Sequence, residues 1–133
     1  MSKFMSFVLS FLLFFDFFGC AALRAKFAQC AGLEMMQTVM VNPVYYEGEL
    51  LTCQHELHWK GHEYEQFGRG EEYIGKLFGL TDRGGMDVVY LAVGQKPEEW
   101  LVWEQGGLMS WFDLYKEKSV TEIPDGFIPF TNE

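Results

Sequence analysis

Three histidines and a cysteine fall within ten residues: Cys53, His55, His58 and His62. Imidazole and thiolate are the ligands that zinc and copper accept. Whether they act together depends on the element that carries them. From Leu51 to Lys60 the odd positions are Leu51, Cys53, His55, Leu57 and Trp59, and the even ones are Thr52, Gln54, Glu56, His58 and Lys60. This period of two predicts a half-buried strand. On a strand Cys53 and His55 share one face and His58 takes the other, so two ligands converge and no closed site results. A helix would align the three histidines, but Gly61 and the strict alternation disfavour one. The expectation is therefore no metal and no cofactor, with a metal-binding protein built on His55, His58 and His62 as the second reading.

The remaining motifs read as structure. Gly68-Arg69-Gly70-Glu71-Glu72-Tyr73 begins like a dinucleotide fingerprint, but it lacks the third glycine and sets two carboxylates where a pyrophosphate needs positive potential. Asp82 and Asp87 flank a glycine loop without the spacing or closing glutamate of a calcium loop. The adjacent pairs Glu71-Glu72 and Glu98-Glu99 diverge on strands and suit solvent better than acid/base work. Neither a nucleophile elbow nor a Cys/His catalytic pairing is evident. No catalytic residue is expected.

Composition narrows the partners. The 133 residues carry 10 Lys+Arg against 19 Asp+Glu, a net charge of -9, and nucleic acid binding depends on clustered cations that this chain lacks. With 49% hydrophobic and 17% aromatic residues, the chain has the material for a folded core rather than a disordered one. The length allows a single domain.

Phe4–Leu23 is a twenty-residue apolar run holding seven phenylalanines, with Lys3 before it and Arg24 and Lys26 after. At about 1.5 Å per residue it would span the roughly 30 Å hydrocarbon core of a bilayer. Asp16 costs about 2.5–3.5 kcal/mol at mid-membrane, while eleven Phe, Leu and Val residues return roughly 3–7 kcal/mol together. Insertion wins by a small margin. A basic start, an apolar stretch and the small residues Gly19-Cys20-Ala21-Ala22 follow the order of a signal peptide. Phe17-Phe18-Gly19-Cys20 resembles the lipobox of bacterial lipoproteins, and with the domain size it makes the chain look like a small bacterial lipoprotein. That resemblance implies lipidation at Cys20 and carries no catalytic residue. A cleaved signal peptide and an uncleaved anchor are the other two readings, the latter a small integral membrane subunit with Asp16 paired inside the membrane. If lipid consumes Cys20, then Cys30 and Cys53 remain as a disulfide pair closing a 23-residue span, worth about 3 kcal/mol by loop entropy. Buried free thiols are the alternative.

Residues 1–19 are thus expected to be a signal peptide or membrane anchor, 20–37 a tether or short helix, and 38–133 a β domain. Thr38–Tyr46 reads as an edge strand interrupted by Asn42-Pro43, and Glu47-Gly48 as a turn. Tyr73–Leu80 carries Gly75 and Gly79, which predict bulges or tight curvature. Asp87–Val93 is a short apolar strand. Trp100–Glu104 and Leu108–Tyr115 flank Gln105-Gly106-Gly107 as a hairpin. With its turn on Gly106, Leu101 would face Trp111 and Trp103 would face Met109, with Trp100 and Phe112 on the other side. Both faces are apolar, so the second must be covered by the tail or by Ala21–Gln37, or else used as a binding surface of Trp100, Trp103, Trp111 and Phe112. In the tail, Ile123, Phe127, Ile128 and Phe130 are expected to pack on the domain.

The expected fold is mainly β: a small antiparallel sandwich or partly open barrel of six to seven short strands after an N-terminal hydrophobic helix. The expected function is an extracytoplasmic, membrane-anchored or secreted accessory domain. It would be non-enzymatic, with the membrane as partner through the N-terminus and a protein or glycan at the aromatic hairpin.

Overall fold

The computed structural model describes residues 21–83, 87–105 and 110–131. Helix α1 (Ala21–Cys30) is followed by β1 (Glu34–Tyr46), β2 (Glu49–Trp59), β3 (His62–Arg69), a 3-10 turn (Glu71–Tyr73), β4 (Ile74–Thr81), β5 (Val88–Ala92), β6 (Trp100–Gln105) and β7 (Trp111–Glu117). The seven strands close into a barrel in the order β1-β2-β3-β7-β6-β5-β4. The described residues are mainly β with seven strands, within the expected six to seven, but the sheet closes fully on itself instead of forming a sandwich or a partly open barrel. The expected hydrophobic segment 1–19 and Cys20 lie outside the described residues. Among those described, no helix is long and apolar enough to cross a membrane.

Turn chemistry sets the hairpins. Glu47-Gly48 and Lys60-Gly61 both have positive φ, 51° and 82° in the first and 47° and 81° in the second. That is the two-residue turn whose twist matches the flanking strands, and glycine supplies its second position without strain. It pairs Tyr46 with Glu49 and Trp59 with His62. Asn42 also lies at φ 51°, and the β1–β2 register slips between Val41 and Val44. Pro43 is thus absorbed as a bulge, leaving β1 one continuous strand.

One contact differs in kind from the rest. Glu34–Met36 pairs in parallel with Gly79–Thr81, while every other pairing is antiparallel. This pair closes the barrel. It places the start of β1 inside the segment expected to be tether or helix: α1 stops at Cys30, Leu33 N–H donates to the Ala28 carbonyl at 2.7 Å, and extended chain begins at Glu34.

Each strand therefore has a lumen face and an outer face. Met36, Leu57, Trp59, Tyr64, Val89, Leu101, Trp103 and Tyr115 form one buried cluster with Phe78 against it, drawn from all seven strands. This is the lumen. Leu80, Val88, Tyr90, Ala92, Trp100, Val102 and Leu114 form the second cluster, on the outside, with Ala28 of α1 and Phe127 of the tail. Trp100 meets Phe127 edge-on at 4.8 Å and Phe67 at 4.9 Å. The two apolar faces of the Trp100–Glu104 strand are thus satisfied by the lumen and by a cover of helix and tail.

The aromatic surface, the hairpin register and the tail packing differ from expectation. Trp100 and Trp103 are 1% and 0% exposed, so neither belongs to a binding surface; barrel closure takes one and the α1–tail cover the other. The hairpin register sets Gln105 opposite Trp111 and Leu101 opposite Tyr115, not Leu101 opposite Trp111. The slip is an even number of residues, so every side chain keeps its expected face. In the tail only Phe127 is buried, while Ile123, Ile128 and Phe130 are exposed.

Candidate functional site

The lumen is not apolar throughout. At one end β2 contributes Cys53 and His55, β3 Gln66, β6 Gln105, and β7 Trp111, Asp113 and Tyr115, which line a cavity of about 140 Å³ together with Gln54. Gln66 Nε2 donates to Asp113 Oδ2 at 2.9 Å, and Gln105 Nε2 donates to the Tyr115 hydroxyl at 3.1 Å. Beneath them Trp103 donates through Nε1 to Asp87 Oδ1. Asp87 also pairs with Arg83 Nε at 3.1 Å, and the Arg83 guanidinium lies 5.7 Å above the Trp103 ring. His55 meets that ring edge-on at 6.3 Å.

The opposite end is closed by packing. Trp59 and Phe78 contact edge-on at 5.1 Å, His62 lies 6.2 Å from Tyr64, and the Tyr64 hydroxyl donates to the Pro97 carbonyl at 2.7 Å. Barrels of this size hold side chains or one small ligand at a mouth. Among the described residues, the His55–Asp113 end is the one where polar side chains from β2, β3, β6 and β7 converge on the lumen.

A second opening joins the first. β2 pairs β3 only from Leu57 to Trp59. Beyond Leu57 the strands diverge, leaving a slot of about 390 Å³ lined by Gln54, His55, Glu56, Glu65, Gln66 and Phe67, with Pro129 and Phe130 at one end. Gln54, His55 and Gln66 line both openings, so the mouth and the slot form one site.

Burial sets its electrostatics. Asp113 is 7% exposed, and burial raises its carboxyl above the usual range despite the Gln66 hydrogen bond and the Arg69 charge. Burial lowers His55, and the Arg83 charge adds to it, so the imidazole is neutral near pH 7. Burial likewise pushes the Tyr115 hydroxyl up. A carboxyl whose folded pKa is raised binds more protons folded than unfolded, so stability falls as pH rises through the carboxylate range. Asp113→Asn can still accept from Gln66 and has no such loss. The variant is expected to be more stable than the parent at pH 7 and closer to it at pH 4, measured by urea unfolding at both pH values. A parent advantage at pH 7 would show that the Asp113 charge is compensated.

The expected site residues are dispersed. His55 lies in the mouth and His62 at the closed end, beside Tyr64 in the lumen. His58 is on the outer face, 3.2 Å from Glu56 Oε1 and 3.6 Å from Glu63 Oε1. The three histidines do not converge. The described residues bring together Glu56, His58 and Glu63 instead, with ligand atoms within 4.8 Å of one another, and Lys118 Nζ already stands 2.8 Å from Glu56 and 3.4 Å from Glu63. Burial would raise Glu56, but the Lys118 and His58 hydrogen bonds bring it below its usual value. Cys30 is exposed at the end of α1 and Cys53 half-buried at the mouth, both free thiols. Of the aromatic four, Trp111 stands 52% exposed at the mouth, while Phe112 is half-buried on the outer face, 6.2 Å from Tyr90. Gln66, Gln105, Asp113 and Tyr115 were missed by sequence reasoning. The signal was present in Trp111-Phe112-Asp113-Leu114-Tyr115, where an acid occupies an inward position.

Comparison with protein-family models, with curated proteins and with solved structures found no match.

Proposed function

We propose that this protein is an exported, non-enzymatic binding module, held at the membrane or released through its N-terminal segment, with its ligand end at the barrel mouth. The observation that carries the binding half is a lumen end faced by Asp113, His55, Gln66, Gln105 and Tyr115 beneath a half-exposed Trp111. Such an end is a poor choice for packing and a good one for recognition. Asp113 accepts hydrogen bonds, the two amides both donate and accept, and the indole gives a rigid apolar surface at low entropy cost. These groups suit a polypeptide or glycan that presents N–H or O–H donors beside an apolar face. The export half rests on Phe4–Leu23 and the lipobox-like Phe17-Phe18-Gly19-Cys20.

Two measurements test the halves separately. Intact mass of the protein from its native membrane should begin at Cys20 and carry acyl chains. An unmodified mass from about Ala22 indicates secretion, a full-length mass indicates a retained anchor, and a full-length chain recovered from cytosol defeats export. For binding, the full chain in detergent is screened against a glycan array and a displayed library of random dodecapeptides. Ligands that weaken about ten-fold or more, some 1.4 kcal/mol, on Trp111→Ala support the mouth. Ligands indifferent to Trp111→Ala, or none at all, defeat it.

A further inference from the structure

We propose that the slot between β2 and β3 takes an extended polypeptide segment, which adds to the open edge of β2 as a further strand. This rests on the mouth being the ligand end and specifies what enters it.

The first observation is backbone orientation. Thr38 N–H donates to Asp82 Oδ1 at 3.0 Å, away from β2, and Thr38 stands opposite Leu57. In an antiparallel ladder the orientation alternates along each strand. Leu57 therefore turns its N–H and C=O toward β3, where Tyr64 receives them, and His55 and Cys53 turn theirs the same way. At His55 and Cys53 no β3 residue is paired, so these groups face the slot.

The second observation is that this chain already demonstrates the pairing on the facing strand. Gly68 of β3 bridges Pro129 of the tail in antiparallel sense, and Phe130 N–H donates to the Phe67 carbonyl at 2.7 Å. A Cβ at Gly68 would lie 2.1 Å from the Ile128 carbonyl oxygen, so the approach is close. The slot thus accepts extended backbone on its β3 side, while on the β2 side, two residues from the end of the ladder, no strand is paired among the described residues. Added strands of this kind gain affinity from main-chain hydrogen bonds and specificity from alternate side chains.

The third observation is what borders the edge. Seven of the exposed large hydrophobic residues, Val39, Met40, Val44, Tyr45, Tyr46, Leu50 and Leu51, sit on the β1–β2 ribbon that continues from the slot. The charges on this ribbon between Gln37 and Glu56 are all acidic: Glu47, Glu49 and Glu56. A segment laid along β2 would cover part of this surface with its own alternate apolar residues. On a chain of net charge -9, neutral or basic residues in the intervening positions fit and acidic ones do not.

The test uses the full chain in detergent and the dodecapeptides enriched from the displayed library. Cys53→Pro removes a slot-facing N–H without touching the β1 ladder, and Cys53→Ser changes the side chain alone. Pairing predicts that enriched peptides alternate apolar with neutral or basic residues and slow hydrogen exchange at Cys53 and His55. They should weaken about ten-fold or more with Cys53→Pro and stay within about two-fold with Cys53→Ser, while both variants melt cooperatively. If Cys53→Pro does not fold, exchange at Cys53 and His55 in the parent decides alone. Peptides that lose affinity with Trp111→Ala but leave those amides unprotected, or glycans as the sole ligands, overturn the pairing and leave the mouth standing. Concentration-dependent protection of the same amides without peptide means that a second copy fills the slot, which also overturns it. Ligands indifferent to Trp111→Ala defeat the mouth itself.

Discussion

Trp103→Ala is expected to remove about 3–5 kcal/mol of stability, the range for deleting a buried aromatic side chain. Against a total of roughly 5–15 kcal/mol for a small domain, that leaves a marginal fold. The reason lies in how many strands meet at this side chain. Trp103 is fully buried and sits in β6 opposite Val89 of β5 and Asp113 of β7. It contacts Tyr115 edge-on at 5.0 Å, His55 of β2 at 6.3 Å and Arg83 at 5.7 Å. Its Nε1 also donates to Asp87, a carboxylate 4% exposed. The loss therefore has two parts, a cavity and a hydrogen bond. Trp103→Phe separates them: it keeps most of the ring volume and withdraws the donor, which should cost about 1–3 kcal/mol, with Arg83 still 3.1 Å from Asp87. Urea unfolding followed by far-ultraviolet circular dichroism reads both. A Trp103→Ala protein within 1 kcal/mol of the parent would mean that the ring does not fill the lumen.

What the sequence disclosed was local. Alternation from Leu51 to Lys60 identified β2 and its inward face, and Glu47-Gly48 marked its hairpin. Apolar residues on both sides of Trp100–Glu104 required two covers, and the lumen and the α1–tail layer supply them. Gly75 and Gly79 predicted irregularity, and the β4–β5 register shifts between Ile74 and Leu77 and again before Gly79. What stayed hidden was long-range. β3, His-Glu-Tyr-Glu-Gln-Phe-Gly-Arg, buries only Tyr64 and Gly68, so its pattern is too polar to announce a strand. Parity gave the faces of the β6–β7 hairpin, but register depends on the loop. Of the mouth, Cys53, His55 and Trp111 were legible, whereas Gln66, Gln105, Asp113 and Tyr115 acquire meaning once barrel closure turns them toward one another. Closure itself depends on a contact between Glu34 and Gly79, 45 positions apart, for which no local pattern exists.

That contact yields the second large effect. Gly79→Ala is expected to break the parallel pairing of β1 with β4 and cost about 1–3 kcal/mol, as overpacking does in a site that cannot relax. A Cβ at Gly79 would stand 2.7 Å from the Glu34 carbonyl oxygen and 3.3 Å from Met36 Cε. The methionine end can swing away, but the carbonyl belongs to backbone held by the very ladder in question, so β1 must move. Three residue pairs join these strands, Glu34–Gly79, Met35–Leu80 and Met36–Thr81. Just beyond them the Asp82 N–H donates to the Met36 carbonyl at 3.1 Å, and Thr38 donates through both its N–H and its hydroxyl to Asp82 Oδ1. Displacing β1 should loosen this whole seam and free two strand edges, the feature a barrel exists to remove. For a domain of this size each kcal/mol lowers the melting temperature by roughly 4 °C. Hydrogen exchange should quicken at Met35–Thr38 before the rest of the barrel. Lys76→Ala, exposed on the same strand, serves as the control and should change stability by less than about 0.5 kcal/mol. A Gly79→Ala protein that melts with the parent and keeps Met35–Thr38 protected would place the barrel seam elsewhere.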